Sequence, residues 1–274
     1  MTAALLFAFD EGYVDPGLVA MRTALDHVDS GVPAYLLGVG LRPESVGRIE
    51  STLSGRLSII PVEDGLDGLP TGEVTLASWA RVLAGSLLPA ELDRVMYLDA
   101  DVLVRGALDE LLGLDLDGSI LAACPDFSWG YHGWRDAAFR AISEAPAAAG
   151  YFNSGVMVVD LSAWREEEAE RRVVECGRGI AGSTRFADQD SLNAVLWDRW
   201  LPIDGSVWNY PGSQPDDSYG AARIVHFAGP NKPWRHPSPV AQLQQEYEAA
   251  SARIGWEVST PWHVRLRWAV RNAM

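Results

Sequence analysis

Short apolar runs alternate with stretches of helical periodicity through the first hundred residues. Leu5-Leu6-Phe7-Ala8-Phe9 reads as a first strand, ended by the turn-prone Asp10-Glu11-Gly12. Residues 17–28 repeat Leu18, Met21, Leu25 and Val28 at helical spacing, and residues 34–39 form a second apolar strand. A helix opening at Pro43 sets Val46, Ile49 and Leu53 on one face, and residues 57–62 form a third strand. Beyond a loop rich in Gly and Asp, the spacing predicts a helix over 75–88 with Leu76, Trp79, Leu83 and Leu87 inward. Val95-Met96-Tyr97-Leu98 then runs straight into Asp99-Ala100-Asp101 and a second apolar stretch, Val102-Leu103-Val104. Such alternation predicts an α/β fold with a mostly parallel central sheet and helices on both faces.

The later pattern is less regular. Residues 120–124 form another strand. Over 125–150 the period is lost, and Phe127, Trp129, Tyr131 and Trp134 interleave with Gly130 and Gly133, as in a lid or acceptor loop. Residues 156–160 resume the sheet, Ser162 is placed to cap a charged helix over 164–178, and 190–200 read as a further helix. A late strand covers 224–227. The division this suggests is one domain over residues 1–240 and a small C-terminal helical tail over 241–274.

Composition narrows the function classes. At 274 residues and 48% hydrophobic, the chain can bury a full core. No run of about 18 uncharged apolar residues spans a membrane. The opening residues read as a strand rather than a signal peptide, and Cys124 and Cys176 match neither a disulfide framework nor a zinc pattern, so a cytoplasmic protein is expected. A formal charge of −15 argues against a general nucleic-acid binder. Several of the eleven Trp residues stand beside Pro, Gly or Asn, where sugars are commonly held against aromatic faces; a core role is equally open to each.

The most informative chemistry is the Asp99/Asp101 pair. Two carboxylates one residue apart at a strand end point to the same side. Buried carboxylates are costly unless paired or bound to a metal. The pair therefore reads as a divalent-cation site of the oxygen-ligand kind that suits Mg or Mn, lying where a parallel sheet binds ligands, outside the carboxyl ends of its strands. A capped strand end is the plain competing reading.

Four segments in order resemble the retaining glycosyltransferases of family 8, the group of bacterial lipooligosaccharide galactosyltransferases and glycogenin. Tyr97-Leu98-Asp99-Ala100-Asp101-Val102-Leu103-Val104 is similar to that family's D-x-D segment, and Tyr151-Phe152-Asn153-Ser154-Gly155-Val156 to its F-N-[SA]-G-V segment. Asp188-Gln189-Asp190-Ser191-Leu192-Asn193 resembles D-Q-D-x-L-N, and His226-Phe227-Ala228-Gly229-Pro230-Asn231-Lys232-Pro233-Trp234 resembles H-[FY]-x-G-x-x-K-P-W. A lone D-x-D is weak; four motifs in order, covering roughly residues 1 to 236, are specific.

The resemblance implies a single Rossmann-like domain of the GT-A type. It implies a metal, Mn2+ with Mg2+ as the variant, held by Asp99, Asp101 and His226, and a UDP-sugar donor. Lys232 and Gly229 would meet the diphosphate. Ala8, Phe9, Asp10 and Tyr13 would form the uridine site, the Asp accepting from the base and the Tyr stacking on it. Arg81 and Ala100 would lie against nucleotide and donor sugar. Asn153, Asp188, Gln189 and Asp190 would surround the transferred sugar. Retention demands either a nucleophile beneath the anomeric carbon, where Gln189 is a poor one, or attack on the same face as departure. Trp129, Trp134, Trp208, Asn209 and Tyr210 stand as acceptor-side candidates, toward a glycan, lipid-linked or small-molecule hydroxyl. From Thr260 onward, Arg265, Arg267 and Arg271 accompany Trp262 and Trp268 with no acidic residue, a pattern open to weak peripheral membrane contact, although with so few Arg an ordinary docking helix is the favoured reading.

Two rivals remain at this level. A sugar nucleotidylyltransferase should open with a Gly-rich basic loop, which Phe9-Asp10-Glu11-Gly12 is not. A catalytically silent nucleotide-sugar or glycan-binding module would be expected to lack a metal ligand, yet all three are present.

Overall fold

The computed structural model describes residues 2–53, 55–71, 74–126, 143–145, 149–180, 186–212 and 218–272. Its main sheet has seven strands in the order β3-β2-β1-β4-β7-β6-β8: β1 Ala3–Asp10, β2 Ala34–Val39, β3 Leu57–Pro61, β4 Arg94–Leu98, β6 Leu121–Pro125, β7 Phe152–Asp160 and β8 Trp200–Pro202. A second sheet joins β5 Val102–Val104, β10 Ile224–His226 and β9 Tyr210–Pro211 in the order β5-β10-β9.

Strand β1 is apolar on both faces because both are covered. Leu5, Phe7 and Phe9 enter one core with Leu18, Met21 and Leu25 of the helix Val14–Asp26. Ala4, Leu6 and Ala8 enter the other, with Trp79 and with Val173 of the helix Ala169–Ile180. Met96 and Leu98 of β4 share the first core, and Val95 and Tyr97 the second. Strands β3, β2, β1 and β4 are mutually parallel, while β7 runs antiparallel to both β4 and β6. The order 3-2-1-4 reverses direction between β1 and β4, which opens a crevice beyond their carboxyl ends.

Several local expectations need correction. The segment expected as a helix over 75–88 is a 3-10 helix, Leu76–Leu83, followed by one α-turn, Ala84–Leu87. Winding at three residues per turn changes which side chains share a face, and Leu76 is exposed at the start of the segment. Asp160, not Ser162, caps the charged helix: its side chain accepts from Ala163 N–H at 2.9 Å. That helix is broken into Leu161–Glu166 and Ala169–Ile180, where Glu168 takes a φ of +52°. The helix expected over 190–200 runs instead over Ala187–Leu196, and Trp200 opens β8 against Phe152, ring centroids 5.2 Å apart.

Strand β7 begins four residues earlier than its apolar run. Its pairing with β6 jumps from Ala123↔Met157 to Cys124↔Asn153, so the intervening Ser154-Gly155-Val156 bulges out of the β6 ladder, and Asn153 and Ser154 border the crevice. In the C-terminal region, the helix Ala241–Ala252 buries Leu243 and Tyr247 in the first core, whereas the helix Trp262–Asn272 leaves Trp262 77% exposed.

Candidate active site

Two carboxylates and an imidazole meet where the two sheets diverge. The chain leaves β4 at Leu98 and crosses Asp99-Ala100-Asp101 to enter β5. His226 ends β10 and pairs with Val102, so the antiparallel ladder sets the imidazole beside Asp101. The Phe227 N–H donates to the Asp101 carbonyl at 3.0 Å, and the Asp99 N–H to the Gly155 carbonyl at 2.8 Å. His226 Nε2 lies 3.1 Å from Asp101 Oδ1 and 3.6 Å from Asp99 Oδ2. One ligand atom from each of the three residues falls within 4.8 Å of the others, about two metal–oxygen bond lengths. Two carboxylate oxygens and one neutral ring nitrogen form a mixed donor set that suits Mn or Mg better than thiolate-seeking ions. The residues fit the expected cation.

Charge is closely matched around the cluster. The Lys232 ammonium donates to Asp101 Oδ2 and, at 2.9 Å, to the Phe227 carbonyl. Burial alone would push the Asp101 carboxyl up, but Lys232 and His226 outweigh it and hold the group well below the usual carboxylate range. For His226, burial works against protonation; the adjacent Asp101 and Asp99 prevail and raise its pKa above the ordinary value.

Arg81 ties this cluster to the helix Ala187–Leu196. Its guanidinium pairs with Asp99 Oδ1 at 3.0 Å and with Asp188 Oδ2 at 3.1 Å, and it donates to the carbonyls of Ser78 and Ser154, each at 2.8 Å. It lies 4.5 Å above the Tyr97 ring, whose hydroxyl donates to Asp99 Oδ1 at 2.7 Å. The side chain is buried, yet Asp99, Tyr97 and Asp188 hold it charged. Burial raises the pKa of Asp188, and Arg81 only partly offsets it.

Across the crevice, Gln189 is locked by its amide. Oε1 accepts from Ser154 N–H at 2.9 Å and Ser154 Oγ at 3.2 Å, and Nε2 faces the Tyr151 hydroxyl at 3.2 Å. Asn153 Nδ2 donates to Asp126 Oδ2 at 3.3 Å. Asp190 turns away from the crevice: it accepts from the Tyr151 hydroxyl at 2.6 Å and from Phe186 N–H at 3.1 Å, steadying the start of its helix.

These groups line one cavity of about 590 Å3. Ala8, Phe9, Asp10, Tyr13, Arg81, Asp99, Ala100, Gly229 and Lys232 all border it, as do Asp101, His226, Asn153, Asp188 and Gln189. Asp10 also closes the turn after β1 by accepting from Gly12 N–H at 3.0 Å, and Tyr13 meets Trp234 edge-on.

The acceptor-side candidates are placed differently. Trp208 and Tyr210 are buried in the first core because they flank the joint into the small sheet. Asn209 stands behind His226, its Oδ1 2.8 Å from Nδ1. Trp129 and Trp134 lie outside the described residues. Sequence reasoning gave no role to Tyr97, Ser154 or Gly155, although all three stand inside recognised motifs. It missed Asp126 and Arg235, which also border the cavity but carry no motif of their own.

The architecture is of the GT-A type, and the cavity lies beyond the carboxyl ends of the parallel strands, where open α/β sheets bind ligands. The chain belongs to glycosyl transferase family 8, whose sequence profile matches residues 4–237. It is 27% identical over 250 residues to glycosyltransferase GlyF of Streptococcus pneumoniae, covering 85% of this chain and 58% of that one. It is 27% identical over 210 residues to the lipopolysaccharide 1,2-glucosyltransferase of Escherichia coli, covering 72% and 61%. This chain thus spans about three-fifths of the length of those two relatives. Among solved structures, the galactosyltransferase LgtC in complex with donor and acceptor sugar analogues superposes with a TM-score of 0.75 at 22% identity, over 96% of this chain and 99% of that one.

Proposed function

We propose that the protein is a metal-dependent retaining glycosyltransferase that moves a hexose, glucose or galactose, from a UDP-sugar to a hydroxyl acceptor. One observation carries this reading: the Asp99–Asp101–His226 cluster and the Asn153–Asp188–Gln189 group open into the same cavity, bridged by Arg81. A nucleoside diphosphate at one end would have its glycosyl bond between the two groups.

Asp99, Asp101 and His226 would hold Mn2+ or Mg2+, which when bound supplies positive charge to the departing diphosphate. Lys232 adds a point charge from the protein, and Gly229, at φ +80°, lets the backbone approach phosphate oxygens without a side chain. Asp10 and Tyr13, with Ala8 and Phe9, would take the uridine, leaving Asn153, Asp188 and Gln189 for the sugar hydroxyls.

In the reaction, the bond between the anomeric carbon and the phosphate oxygen breaks. The acceptor oxygen bonds to that carbon on the same face, and its proton passes to the leaving phosphate oxygen. The fixed amide of Gln189 supports this route over double displacement. Its oxygen is neutral and already accepts from both Ser154 donors, so it makes a poor nucleophile. The protein's share is orientation and charge stabilisation.

The acceptor is a glycan, a lipid-linked sugar or a small hydroxyl compound, in keeping with the lipopolysaccharide enzyme among the relatives. Among the described residues, no helix is long and apolar enough to cross a membrane. The exposed Trp262, Leu266 and Val270, with the neighbouring arginines, support weak contact at the inner membrane face of a cytoplasmic protein.

The test is release or transfer of hexose from UDP-glucose and UDP-galactose with Mn2+, comparing the wild-type chain with an Asp99→Asn/Asp101→Asn variant. Stabilisation of several kcal/mol at the diphosphate predicts a loss of at least about a hundredfold. Equal turnover by both proteins would remove the metal from the reaction.

A further inference from the structure

We propose that Asn209 is a positioning residue for the cation site: its side-chain amide selects which nitrogen of His226 faces Asp99 and Asp101, and its own orientation is set from the sugar side of the cavity through Asn153. This rests on the metal-dependent reading above.

An amide and an imidazole can each be turned two ways within the same shape. Their polarity has to be dictated by a group that cannot turn, and here that group is the Gly155 backbone N–H. It donates to Asn153 Oδ1 at 3.0 Å, so that atom is the oxygen. The same oxygen accepts from Asn209 Nδ2 at 2.9 Å. With its nitrogen committed, Asn209 turns its Oδ1 to His226 Nδ1 at 2.8 Å, where only an N–H satisfies it. Without a cation, Nε2 lies 3.1 Å from Asp101 Oδ1 and also carries a proton. When Asp99, Asp101 and His226 hold a cation, the single ring proton would sit on Nδ1 and the Nε2 lone pair would be left for the cation; the opposite tautomer would then set the Nδ1 lone pair against Asn209 Oδ1.

The fold holds this amide firmly. Asn209 follows the short helix Gly205–Trp208, and its N–H donates to the Gly205 carbonyl at 3.2 Å. On either side stand the buried Trp208 and Tyr210, the latter paired with Val225 in the small sheet. Those two aromatic residues anchor a joint whose one polar side chain reaches the metal ligand. Asn153, at the far end of the chain of bonds, lines the cavity and donates to Asp126. Metal-ligating histidines generally give their second N–H to an oxygen acceptor, and losing that acceptor costs about 10–100-fold in metal affinity.

Two substitutions separate positioning from packing. Asn209→Ala removes the acceptor, whereas Asn209→Asp keeps an oxygen against Nδ1. Mn2+ binding is read directly at pH 8, in the presence of UDP, from the electron paramagnetic resonance signal of the free ion, with melting temperature checking the fold. The expectation is about 10–100-fold weaker binding for Asn209→Ala and binding at least as tight as wild type for Asn209→Asp. If the alanine chain does not fold, the aspartate variant decides alone: retained affinity supports the proposal and lost affinity overturns it. Variants that both match the wild-type chain, or are weakened equally, overturn it while leaving the metal-dependent reading intact. A wild-type chain that binds no Mn2+ overturns that reading first, and this inference with it.

Discussion

The α-carbon of Gly155 faces the His226 ring so closely that a methyl group there would come within 2.3 Å of Cε1 and 2.8 Å of Asp99 Oδ2. Glycine is required here by the approach of two metal-site residues. The prediction for Gly155→Ala is displacement of the imidazole and at least tenfold weaker Mn2+ binding, with an overpacking cost of about 1–3 kcal/mol. Calorimetric titration alongside thermal unfolding would check both; an alanine chain with wild-type Mn2+ affinity would refute the geometry.

A second prediction concerns pH. Burial opposes the His226 charge, but Asp101 and Asp99 raise its pKa above the ordinary value of about 6.5. In the cation-free protein, that pairing contributes stability in full below about pH 6.5, and loses it as pH rises through the raised pKa. A bound cation needs the neutral ring, so apparent Mn2+ affinity should grow across the same interval. Melting curves from pH 6 to 9 should fall without Mn2+ and rise in relative terms with it. His226→Gln should flatten the dependence, and Mn2+ affinity constant over that range in the wild-type chain would contradict it.

Arg81 supplies a third. Removing it leaves the buried Asp188 without its nearest cation and Asp99 without one of its partners. Breaking a buried ion pair from one side costs about 3–5 kcal/mol. Arg81→Ala should lose about that much in urea unfolding; Arg81→Lys should lose less because it keeps a positive charge, but should still lose some, since one ammonium cannot hold both carboxylates in the fork geometry. A loss below about 1 kcal/mol for the alanine variant would place little weight on the bridge.

The fourth concerns the last helix. Trp262, Leu266 and Val270 recur every four residues on Trp262–Asn272 and stay exposed, while Glu248 accepts from Thr260 N–H at 2.7 Å at the root of that helix. Vesicles rich in anionic lipid should co-sediment the whole chain and release one truncated at Ser259. Undiminished binding after truncation would assign the contact to another surface.

Much of this was legible in the amino-acid order. Strand β2 and the helix Pro43–Leu53 lie where their patterns place them, because the strand is covered on both faces and the helix buries one. Asp99, Asp101, His226 and Lys232 stand in motifs, and all four border the cavity. The misreadings have local causes. Leu76 obeyed a helical period that the 3-10 winding does not keep, and Ser162 is a sound N-cap residue displaced by Asp160, two positions earlier. Asp190 shares a motif with Gln189, but it holds Tyr151 and the Phe186 N–H behind the cavity that Gln189 borders.

By itself, the order of residues determined the α/β alternation, the carboxylate pair at a strand end and the family, since these depend on spacing within short segments. Only the tertiary structure set Asn209 Oδ1 against His226 Nδ1, and Arg81 between Asp99 and Asp188. The physical reason is distance along the chain. Hydrogen-bond polarity and close approach are set by ladder register between strands remote in sequence, and no local pattern encodes which side chains that register will bring together.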